Sequence, residues 1–336
     1  MDSRKESLGG ELRKAIEAAQ EILGRRGRRA LEEAMKRIPS EGIECKEVLG
    51  ALEHFRSRWL DLARPTLLSL ACEAVGGDPE ATISVAIAMT HIAGAIDIYD
   101  DIIDESTMKR SRPTMLGRFG RDVTLLTATA LLFIGFIELY RLLKKGLPAE
   151  KLECILDVVE RSFFELGDAE ALELNLRQRT DVAPEEYLHV IRKKAADVEA
   201  LAHIGAILGG GSEEEIKALC KYGRSLGMLM ILRDDLGDML DFGEFPHRVK
   251  KEVLPLPLLY SLRDPGSREE LIRILRKRRI GKRDVRRVLE IAYQTGALKS
   301  LGELMRKIAG KAIESLHPLR CRRELETLVL ATIPPI

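Results

Sequence analysis

One short segment contains four aspartates, and aspartate carboxylates commonly bind divalent cations. The segment 97–104 contains Asp97, Asp100, Asp101 and Asp104, and its other residues are apolar or aromatic. In a helix, which turns about 100° per residue, all four side chains fall within an arc of roughly 100°. Carboxylates this close together require protonation, basic partners or a divalent cation. Oxygen ligands alone suit Mg²⁺, which typically bridges a few carboxylates to the phosphates of a substrate.

A second aspartate cluster with the same spacing occurs later in the chain. Asp234 and Asp235 are followed by Asp238, again near the end of a helical pattern. If the two clusters face each other across a bundle, they can hold metal ions that bind a diphosphate. Metal ions and basic groups neutralise the charge that develops on a leaving diphosphate, so that its carbon–oxygen bond ionises. A dry apolar cavity would then protect the allylic cation from water.

The first cluster lies at the end of a segment that is predicted to form a buried helix. Residues 81–98 are apolar on almost every side, which is typical of a buried helix. Asp78 is a good N-cap and Pro79 follows it, so a helix is predicted from there to about Met108. Other helices are predicted over 8–38, 47–74, 121–143 and 148–166, from Pro184, and from the capping box of Ser212 with Glu215. The helix after Gly223 is predicted to lead into the second cluster, and Pro65 is predicted to start or kink a helix within 47–74. A loop is predicted over 245–257.

The composition predicts an all-α protein. The 336 residues carry a formal charge of +1, 45% are hydrophobic and only 4% are aromatic. Long stretches of Ala, Leu, Ile, Glu, Arg and Lys at helical spacing dominate, and strand-type alternation is hard to find. No segment is long enough to be a linker, so we expect a single domain over 1–336, with helices in 1–40 packing on the bundle.

Cysteine usage and the apolar segments favour a cytoplasmic protein. The five cysteines are scattered without a Cys-x-x-Cys pair, which favours reduced thiols over zinc or redox motifs. The charged residues 1–6 do not resemble a secretory signal. The longest apolar runs, 81–96 and 123–137, are shorter than the roughly 20 residues that span a bilayer, so they are predicted to be core helices.

A basic segment covers residues 273–287. It contains Arg276, Lys277, Arg278, Arg279, Lys282 and Arg283 without interleaved aromatic residues. We expect no nucleic-acid binding, because aromatic side chains are the platforms on which unpaired bases stack. A solvated basic face is the favoured interpretation, and a weak contact with a membrane surface is the alternative.

The two clusters and the residues beside them resemble a known family. Asp100-Asp101-Ile102-Ile103-Asp104, followed by Lys109-Arg110-Ser111-Arg112-Pro113, is similar to the first aspartate-rich motif of trans-isoprenyl diphosphate synthases, and Asp234-Asp235-Leu236-Gly237-Asp238 is similar to their second. Weaker similarity extends over nearly the whole chain. The resemblance implies the isoprenoid synthase fold, an all-α antiparallel helical bundle around a deep apolar cavity. It also implies a homodimer, an allylic prenyl diphosphate substrate and about three Mg²⁺ ions.

The same resemblance assigns roles to individual residues. It implies that the metal ions are bound by Asp100, Asp101, Asp104, Asp234 and Asp238. Asp235 and Lys194 complete the implied catalytic set. Diphosphate binding is implied for Lys109, Arg110, Arg64 and Lys194, with Lys250 or Lys251 as a further cation.

The residues just before the first motif are less typical of the family. An apolar residue is usual at position 97, so Asp97 is an extra metal or water ligand, an ion-pair partner on the cavity wall, or a carboxylate that stabilises a cation. Ala95 and Ile96 stand where the family has bulky aromatic side chains at the floor of the cavity. Because neither side chain is aromatic, we expect the cavity to have room for a chain of geranylgeranyl length or longer, unless Phe133 or Phe136 fills the space.

The acceptor side also departs from the family pattern. A Gly-Gly-Lys-Arg-x-Arg-Pro motif normally binds the diphosphate of isopentenyl diphosphate, whereas residues 59–65 read Trp-Leu-Asp-Leu-Ala-Arg-Pro. Asp61 therefore replaces a lysine, and Arg64 is the basic residue that remains. Ala93 replaces a histidine or glutamine. Each lost charged contact is expected to cost on the order of 1.5–3 kcal/mol of binding free energy.

Three interpretations of function follow. In the first, a magnesium-dependent enzyme ionises an allylic prenyl diphosphate, and the cation is cyclised, quenched by water or passed to a non-standard acceptor, as in class I terpene synthases. In the second, a chain-elongating trans-prenyltransferase with a rebuilt acceptor site makes geranylgeranyl or longer diphosphate from isopentenyl diphosphate. In the third, the chain is a non-catalytic subunit of a heteromeric synthase, although such a subunit should lose the metal ligands that this chain keeps.

Overall fold

Helices make up nearly all of the regular structure, as the composition predicts. The computed structural model describes residues 2–39, 41–109 and 111–334, so Arg110 and its predicted role lie outside the described residues. The first half contains α1 (Asp2–Lys36), α2 (Lys46–Arg58), α3 (Ala63–Ala74), a 3₁₀ turn (Pro79–Thr82), α4 (Ile83–Ile103), β1 (Met108–Lys109), β2 (Arg112–Pro113), α5 (Met115–Lys144) and α6 (Ala149–Leu176). The second half contains α7 (Pro184–Lys194), α8 (Ala196–Gly209), α9 (Glu213–Leu240), α10 (Glu244–Lys251), α11 (Leu256–Ser261), α12 (Pro265–Leu275), α13 (Lys282–Gln294), α14 (Ala297–Ser315) and α15 (Arg323–Leu330).

The helix that carries the first motif is shorter than predicted. Asp78 caps the 3₁₀ turn by accepting a hydrogen bond from the backbone N–H of Glu80 at 3.0 Å. Helix α4 then ends at Ile103 rather than near Met108. Met108 and the residue after it instead pair with β2 in a short antiparallel hairpin. The hairpin returns the chain towards the end of α4, where the aspartates lie.

The helical pattern over 47–74, in which Pro65 is predicted to start or kink a helix, forms two helices, α2 and α3. The Asp61 carboxylate accepts a hydrogen bond from the backbone N–H of Ala63 at 2.8 Å at the start of α3. Two further boundaries differ from the prediction. Helix α6 continues beyond its predicted end at residue 166 to Leu176. The loop predicted over 245–257 contains α10.

The core lies between α4 and the helices around it. Helix α4 packs along α5, and α8 packs against α3, α6 and α9. The close approach of α4 to α5 requires glycine at position 135, because a Cβ atom there would lie 2.5 Å from Cγ1 of Ile92. A large apolar cluster spans α3, α6, α8, α9 and α14, and a smaller one lies between α1, α2, α4 and α5.

The two long apolar helices differ in their surroundings. Both the Pro79–Ile103 segment and α5 are long and apolar enough to cross a bilayer. The apolar part of the first is 72% buried inside the protein, whereas that of α5 is 39% buried. The prediction of a core helix therefore describes α4, while α5 leaves an apolar face exposed that includes Phe133 and Tyr140.

Candidate active site

The first aspartate motif occupies the last turn of α4 and is ion-paired with the hairpin that follows it. The Nζ atom of Lys109 lies 2.6 Å from Oδ1 of Asp101 and 3.8 Å from Oδ2 of Asp100. Burial raises the pKa of Asp101, and Lys109 opposes this shift. The hairpin therefore places one cation beside two predicted metal ligands.

Lys194 links the first motif to α6. Its Nζ atom lies 2.6 Å from Oε2 of Glu173 and 2.9 Å from Oε1 of Glu170. The same atom lies 3.8 Å from Oδ1 of Asp100. Burial acts to lower the pKa of Lys194, but these carboxylates outweigh it and hold the pKa well above its usual value. Lys194 therefore keeps its positive charge beside the predicted metal ligand.

Asp104, the residue that ends α4, has the most perturbed carboxyl group of the first motif. It is ion-paired with Arg177, the residue that ends α6, and Arg177 also donates to the backbone carbonyl of Ile103 at 3.1 Å. Burial, reinforced by the charges of Asp100 and Glu252, raises the pKa of Asp104 to about 8. The carboxyl group of Asp104 therefore binds its proton more tightly than an exposed aspartate does.

The second motif lies near the end of α9, and one of its carboxylates is almost completely buried. Asp235 is 1% exposed, and Nη2 of Arg248 lies 2.5 Å from its Oδ1 atom. The Tyr187 hydroxyl contacts the same carboxylate at 2.9 and 3.0 Å. Arg248 also donates from Nη1 to Oδ2 of Asp238 at 2.9 Å. Arg248 on α10 therefore orients two of the three aspartates of this motif.

The basic residues that the sequence analysis assigned to this region have partners outside the second motif. Lys250 donates to the backbone carbonyl of Arg278 at 2.7 Å, and Lys251 pairs with Glu105 at 2.6 Å. Lys250 thus points away from both motifs, whereas Lys251 lies beside Glu105, the residue after Asp104 of the first motif, and the diphosphate-binding role of the two lysines stays a prediction. Helix formation over Glu244–Lys251 turns Arg248 towards the aspartates instead.

The two motifs share one cavity. Asp100 and Asp101 from α4 and Asp234 from α9 line a cavity of about 490 Å³. Lys109 and Asp97 also contribute to its wall. Carboxylates from two helices that are distant in sequence thus face the same space, which is the arrangement that the spacing predicts for a bound diphosphate.

Arg64 is held by carboxylates of the protein. Its Nη1 atom lies 2.8 Å from Oδ2 of Asp61, and its Nη2 atom lies 3.1 Å from Oδ1 of Asp97 and 3.2 Å from Oδ2 of Asp197. Burial would lower the pKa of Arg64, but the three carboxylates raise it well above its usual value. Arg64 lines the same cavity as Asp100, but three carboxylates of the protein already pair with its guanidinium, and its role in binding a diphosphate stays a prediction.

The same cluster shows which interpretation of Asp97 fits the structure. Asp97 is an ion-pair partner on the cavity wall, since its two oxygens face Arg64. Burial raises the pKa of Asp97 to about 6, although the guanidinium of Arg64 opposes the shift. A role as a metal ligand is not needed to explain why this carboxylate is present.

The deep apolar cavity implied by the resemblance is narrow in the structure. A space of only about 20 Å³ lies between α4, α6 and α8, lined by Ile96, Met89 and Phe163 among others. This volume holds no more than a water molecule, so a prenyl chain could enter only after side chains move. Ile96 faces this space as predicted, whereas Ala95 is fully buried in the separate cluster between α1, α2, α4 and α5.

Phe133 and Phe136 do not fill the cavity, contrary to the alternative considered from the sequence. Phe133 is 64% exposed and Phe136 is 39% exposed on the outer side of α5. Helical periodicity explains this, because Leu131 and Gly135 lie on the face of α5 that packs on α4, whereas Phe133 and Phe136 lie on another face. Phe163, which contacts Phe136 at 6.4 Å between ring centroids, lines the space instead.

The side chains of both motifs are the hard oxygen donors that Mg²⁺ prefers. Within residues 2–39, 41–109 and 111–334, no three His, Cys, Asp or Glu side chains form a group that could hold a metal ion. Protein cations pair with the carboxylates instead. Burial is the main cause of the raised pKa values of Asp101 and Asp104, and a divalent cation would favour the ionised carboxylates. The donor chemistry therefore fits divalent cations held by Asp100, Asp101, Asp104, Asp234 and Asp238.

Several residues of the site escape the sequence analysis. Glu170 and Glu173 lie on the part of α6 beyond its predicted end, although their spacing of three residues on one helix face was a usable signal. Arg177, Tyr187 and Arg248 reach the motifs through tertiary packing. No local sequence pattern indicates which of the nearby basic residues makes these contacts.

The fold and the site define a class of protein: an all-α isoprenoid synthase fold with two aspartate motifs facing one cavity. The polyprenyl synthetase family model matches residues 53–292. The chain is 34% identical over 199 residues to a short chain isoprenyl diphosphate synthase from Methanothermobacter thermautotrophicus, covering 59% of this chain and 60% of that protein. It is 27% identical over 287 residues to a geranylgeranyl diphosphate synthase from Sulfolobus acidocaldarius, covering 77% of this chain and 86% of the relative.

A solved structure shows the same fold over nearly the whole chain. The crystal structure of geranylgeranyl pyrophosphate synthetase from Pyrococcus horikoshii Ot3 superposes with a TM-score of 0.82 at 26% identity, covering 94% of this chain and 98% of that one. The chain matches about three fifths of the length of the Methanothermobacter relative. Since the family model matches well over half of the residues, this chain belongs to the polyprenyl synthetase family.

Proposed function

We propose that this chain is a magnesium-dependent, chain-elongating prenyltransferase that makes products of geranylgeranyl length. The observation that carries the proposal is the single cavity lined by Asp100, Asp101 and Asp234. The two relatives described above are an isoprenyl and a geranylgeranyl diphosphate synthase, which favours elongation over other fates of the cation.

The proposed reaction joins the two substrates and releases diphosphate and a proton. The carbon–oxygen bond of the allylic diphosphate breaks and diphosphate leaves. The allylic carbon forms a new carbon–carbon bond with the double bond of isopentenyl diphosphate, and a proton is lost. When bound, Mg²⁺ neutralises the charge that develops on the leaving diphosphate.

The protein's own residues position the reactants. Lys109 and Lys194 lie beside Asp100 and add positive charge where the allylic diphosphate would bind. Arg248 orients Asp235 and Asp238, so these carboxylates need not reorganise during the reaction. The apolar space beside Ile96 and Phe163 lies where the prenyl chain would extend after the side chains move.

Product analysis with defined substrates tests this proposal. The protein is incubated with Mg²⁺ and geranyl, farnesyl or geranylgeranyl diphosphate, with and without isopentenyl diphosphate. We expect geranyl and farnesyl diphosphate to be elongated to geranylgeranyl diphosphate only when isopentenyl diphosphate is present, and geranylgeranyl diphosphate to stay unextended. Consumption of the allylic substrate without any longer diphosphate would contradict elongation.

A second candidate function, terpene synthase-like chemistry, is favoured by the altered acceptor side. Asp61 stands where the family has a lysine, and Arg64 is neutralised by three carboxylates. An acceptor diphosphate therefore has fewer of its usual partners here. Hydrocarbon or alcohol formed in the same incubation without isopentenyl diphosphate would support this alternative.

We also propose a homodimer that forms through α5 and α6. Leu126, Phe133 and Tyr140 on α5 are 60%, 64% and 61% exposed, and Phe164 on α6 is 74% exposed. Apolar side chains in such a patch are typical of an interaction surface. A second copy of this chain supplies a matching apolar face and would cover the patch by two-fold symmetry.

A further inference from the structure

The cavity wall on the acceptor side carries a second group of cations. Arg58, in the last turn of α2, lines the 490 Å³ cavity together with His54 and Trp59. Arg118, in the first turns of α5, contacts His54 between Nη1 and Nδ1 at 3.3 Å. Two arginines from two helices thus approach one histidine at the edge of the cavity.

Neither arginine forms an ion pair with a carboxylate in the part of the chain that the structure describes. Within the described residues, Arg58 and Arg118 have no carboxylate oxygen within 4.0 Å of a guanidinium nitrogen. Both side chains are exposed, and Arg58 lines the cavity. Arg64, by contrast, faces three carboxylates. An anion entering this side of the cavity therefore meets available positive charge at Arg58 and Arg118.

The pKa of His54 reflects the positive charge around it. Burial lowers its pKa, and the charges of Arg118 and Arg58 lower it further. The imidazole therefore stays neutral near pH 7 and accepts a hydrogen bond from Arg118. The positive charge of this group thus resides on the two guanidiniums.

Aromatic contacts hold the group in place. Phe55 and Trp59 stack with their ring centroids 5.0 Å apart and their planes at 22°, which fixes the end of α2 on either side of Arg58. The guanidinium of Arg118 lies 5.4 Å from the centroid of the Phe119 ring. A planar guanidinium held by stacking is well suited to bind phosphate oxygens in pairs.

We propose that Arg58 and Arg118 bind the diphosphate of isopentenyl diphosphate, in place of the basic residue that Asp61 has replaced. The inference rests on the proposed function, because it concerns the acceptor of that reaction. This assignment explains how an anionic acceptor can bind although three carboxylates surround Arg64. The acceptor's diphosphate binds near the last turn of α2 and the first turns of α5. The ion pairs of the acidic cluster around Arg64 hold α3, α4 and α8 together.

Binding and kinetics with matched variants test this inference. Isothermal titration with the unreactive thiolo analogue of isopentenyl diphosphate is compared for the wild type, Arg58→Gln, Arg118→Gln and the double variant. Each single variant is expected to weaken binding about tenfold, and the double variant at least about 100-fold. Arg58→Lys is expected to recover part of the affinity, and Arg263→Gln, which removes only a pair with Glu185 between two largely exposed side chains, serves as the control.

The kinetic readout separates this inference from the proposed function. We expect the KM for isopentenyl diphosphate to rise about tenfold in each glutamine variant, while the KM for geranyl diphosphate moves less than threefold. Binding of the analogue by the double variant within threefold of the wild type overturns the inference. Absence of elongation by a wild-type protein that binds the analogue through these arginines overturns the proposed function and leaves the inference standing.

Discussion

Arg248 lies 2.5 Å from the carboxylate of Asp235, and both side chains are almost completely shielded from solvent. The guanidinium donates to Tyr187 as well, at 2.7 Å, so the pair belongs to a buried network at the base of the second motif. A charge in such a place is costly when its partner is removed, because little water replaces the lost interaction. The pair therefore makes Asp235 a sensitive probe of the site.

Replacing Arg248 is expected to destabilise the fold. Arg248→Gln leaves the carboxylate of Asp235 buried without its charged partner, and we expect a loss of about 3 kcal/mol in the free energy of unfolding. Urea denaturation measures this loss. The matched control is Arg263→Gln, which removes a pair with Glu185 between two largely exposed side chains and should cost less than about 0.5 kcal/mol. Equal losses in the two variants would show that the buried network is not held by Arg248.

The pH dependence of stability provides a second test of Asp235. Burial raises its pKa in the folded protein to about 6, despite the opposing charge of Arg248. The folded state therefore binds the proton more tightly than the unfolded state, in which an aspartate has a pKa near about 3.9. The stabilising contribution of this proton is present below pH 4 and is lost as the pH rises to 6.

We expect the free energy of unfolding of the wild type to fall by about 2 kcal/mol more than that of Asp235→Asn between pH 4 and pH 6. Urea titrations at several pH values measure the two slopes. Comparing slopes removes the constant loss that the substitution itself causes. Parallel curves would show that Asp235 titrates near its ordinary value.

The first motif is predicted to be essential for turnover. Asp100→Ala removes the carboxylate that lies near both Lys109 and Lys194, and turnover is expected to fall at least about 100-fold. Initial rates of prenyl product formation at saturating Mg²⁺ measure this effect. Asp181→Ala, which removes an exposed aspartate paired with Arg179, should retain the wild-type rate. Unchanged turnover in Asp100→Ala would contradict the whole account of the site.

Removal of metal is predicted to abolish activity without unfolding the protein. Protein cations pair with carboxylates of both motifs, as Lys109 does with Asp101 and Arg248 with Asp235, so the fold does not require the metal. We expect EDTA to eliminate turnover and excess Mg²⁺ to restore it, while the helical circular dichroism signal stays constant. A large loss of helix in EDTA would show that the metal has a structural role.

The exposed face of α5 is predicted to be the dimer interface. Phe133→Glu together with Tyr140→Glu places charges in the centre of this face, and association should weaken at least about 100-fold. Sedimentation velocity measures the shift from dimer to monomer. Tyr293→Glu is the matched control, because Tyr293 is 77% exposed on α13, outside this face. A wild-type monomer, or a dimer that survives the double substitution, would rule out this interface.

Local patterns in the sequence were enough to predict the helical class and the two motifs. The apolar stretch before Asp97 predicts a buried helix, and repetition of Asp-Asp-x-x-Asp predicts carboxylates on one helix face. Capping signals at Asp78 and Ser212 mark real helix beginnings, and both side chains accept the expected hydrogen bonds. These features depend on residues within a few positions of one another, and such patterns can be recognised in sequence alone.

The partners of the aspartates were decided by the tertiary structure. Arg248, rather than Lys250 or Lys251, contacts the second motif because α10 turns that side chain inward. Asp61, which looks like a damaged substrate contact, begins α3 and neutralises Arg64. Each of these outcomes depends on how helices pack.

The sequence by itself thus determined an all-α chain with two Asp-Asp-x-x-Asp clusters on helices, since helical periodicity and residue type are local properties. Only the tertiary structure decided which cations neutralise those carboxylates, how narrow the apolar space beside Ile96 is, and which side of α5 remains exposed. The physical reason is that electrostatic pairing and packing depend on distances across the bundle. Such distances join residues that are far apart in the chain, and no local pattern specifies them.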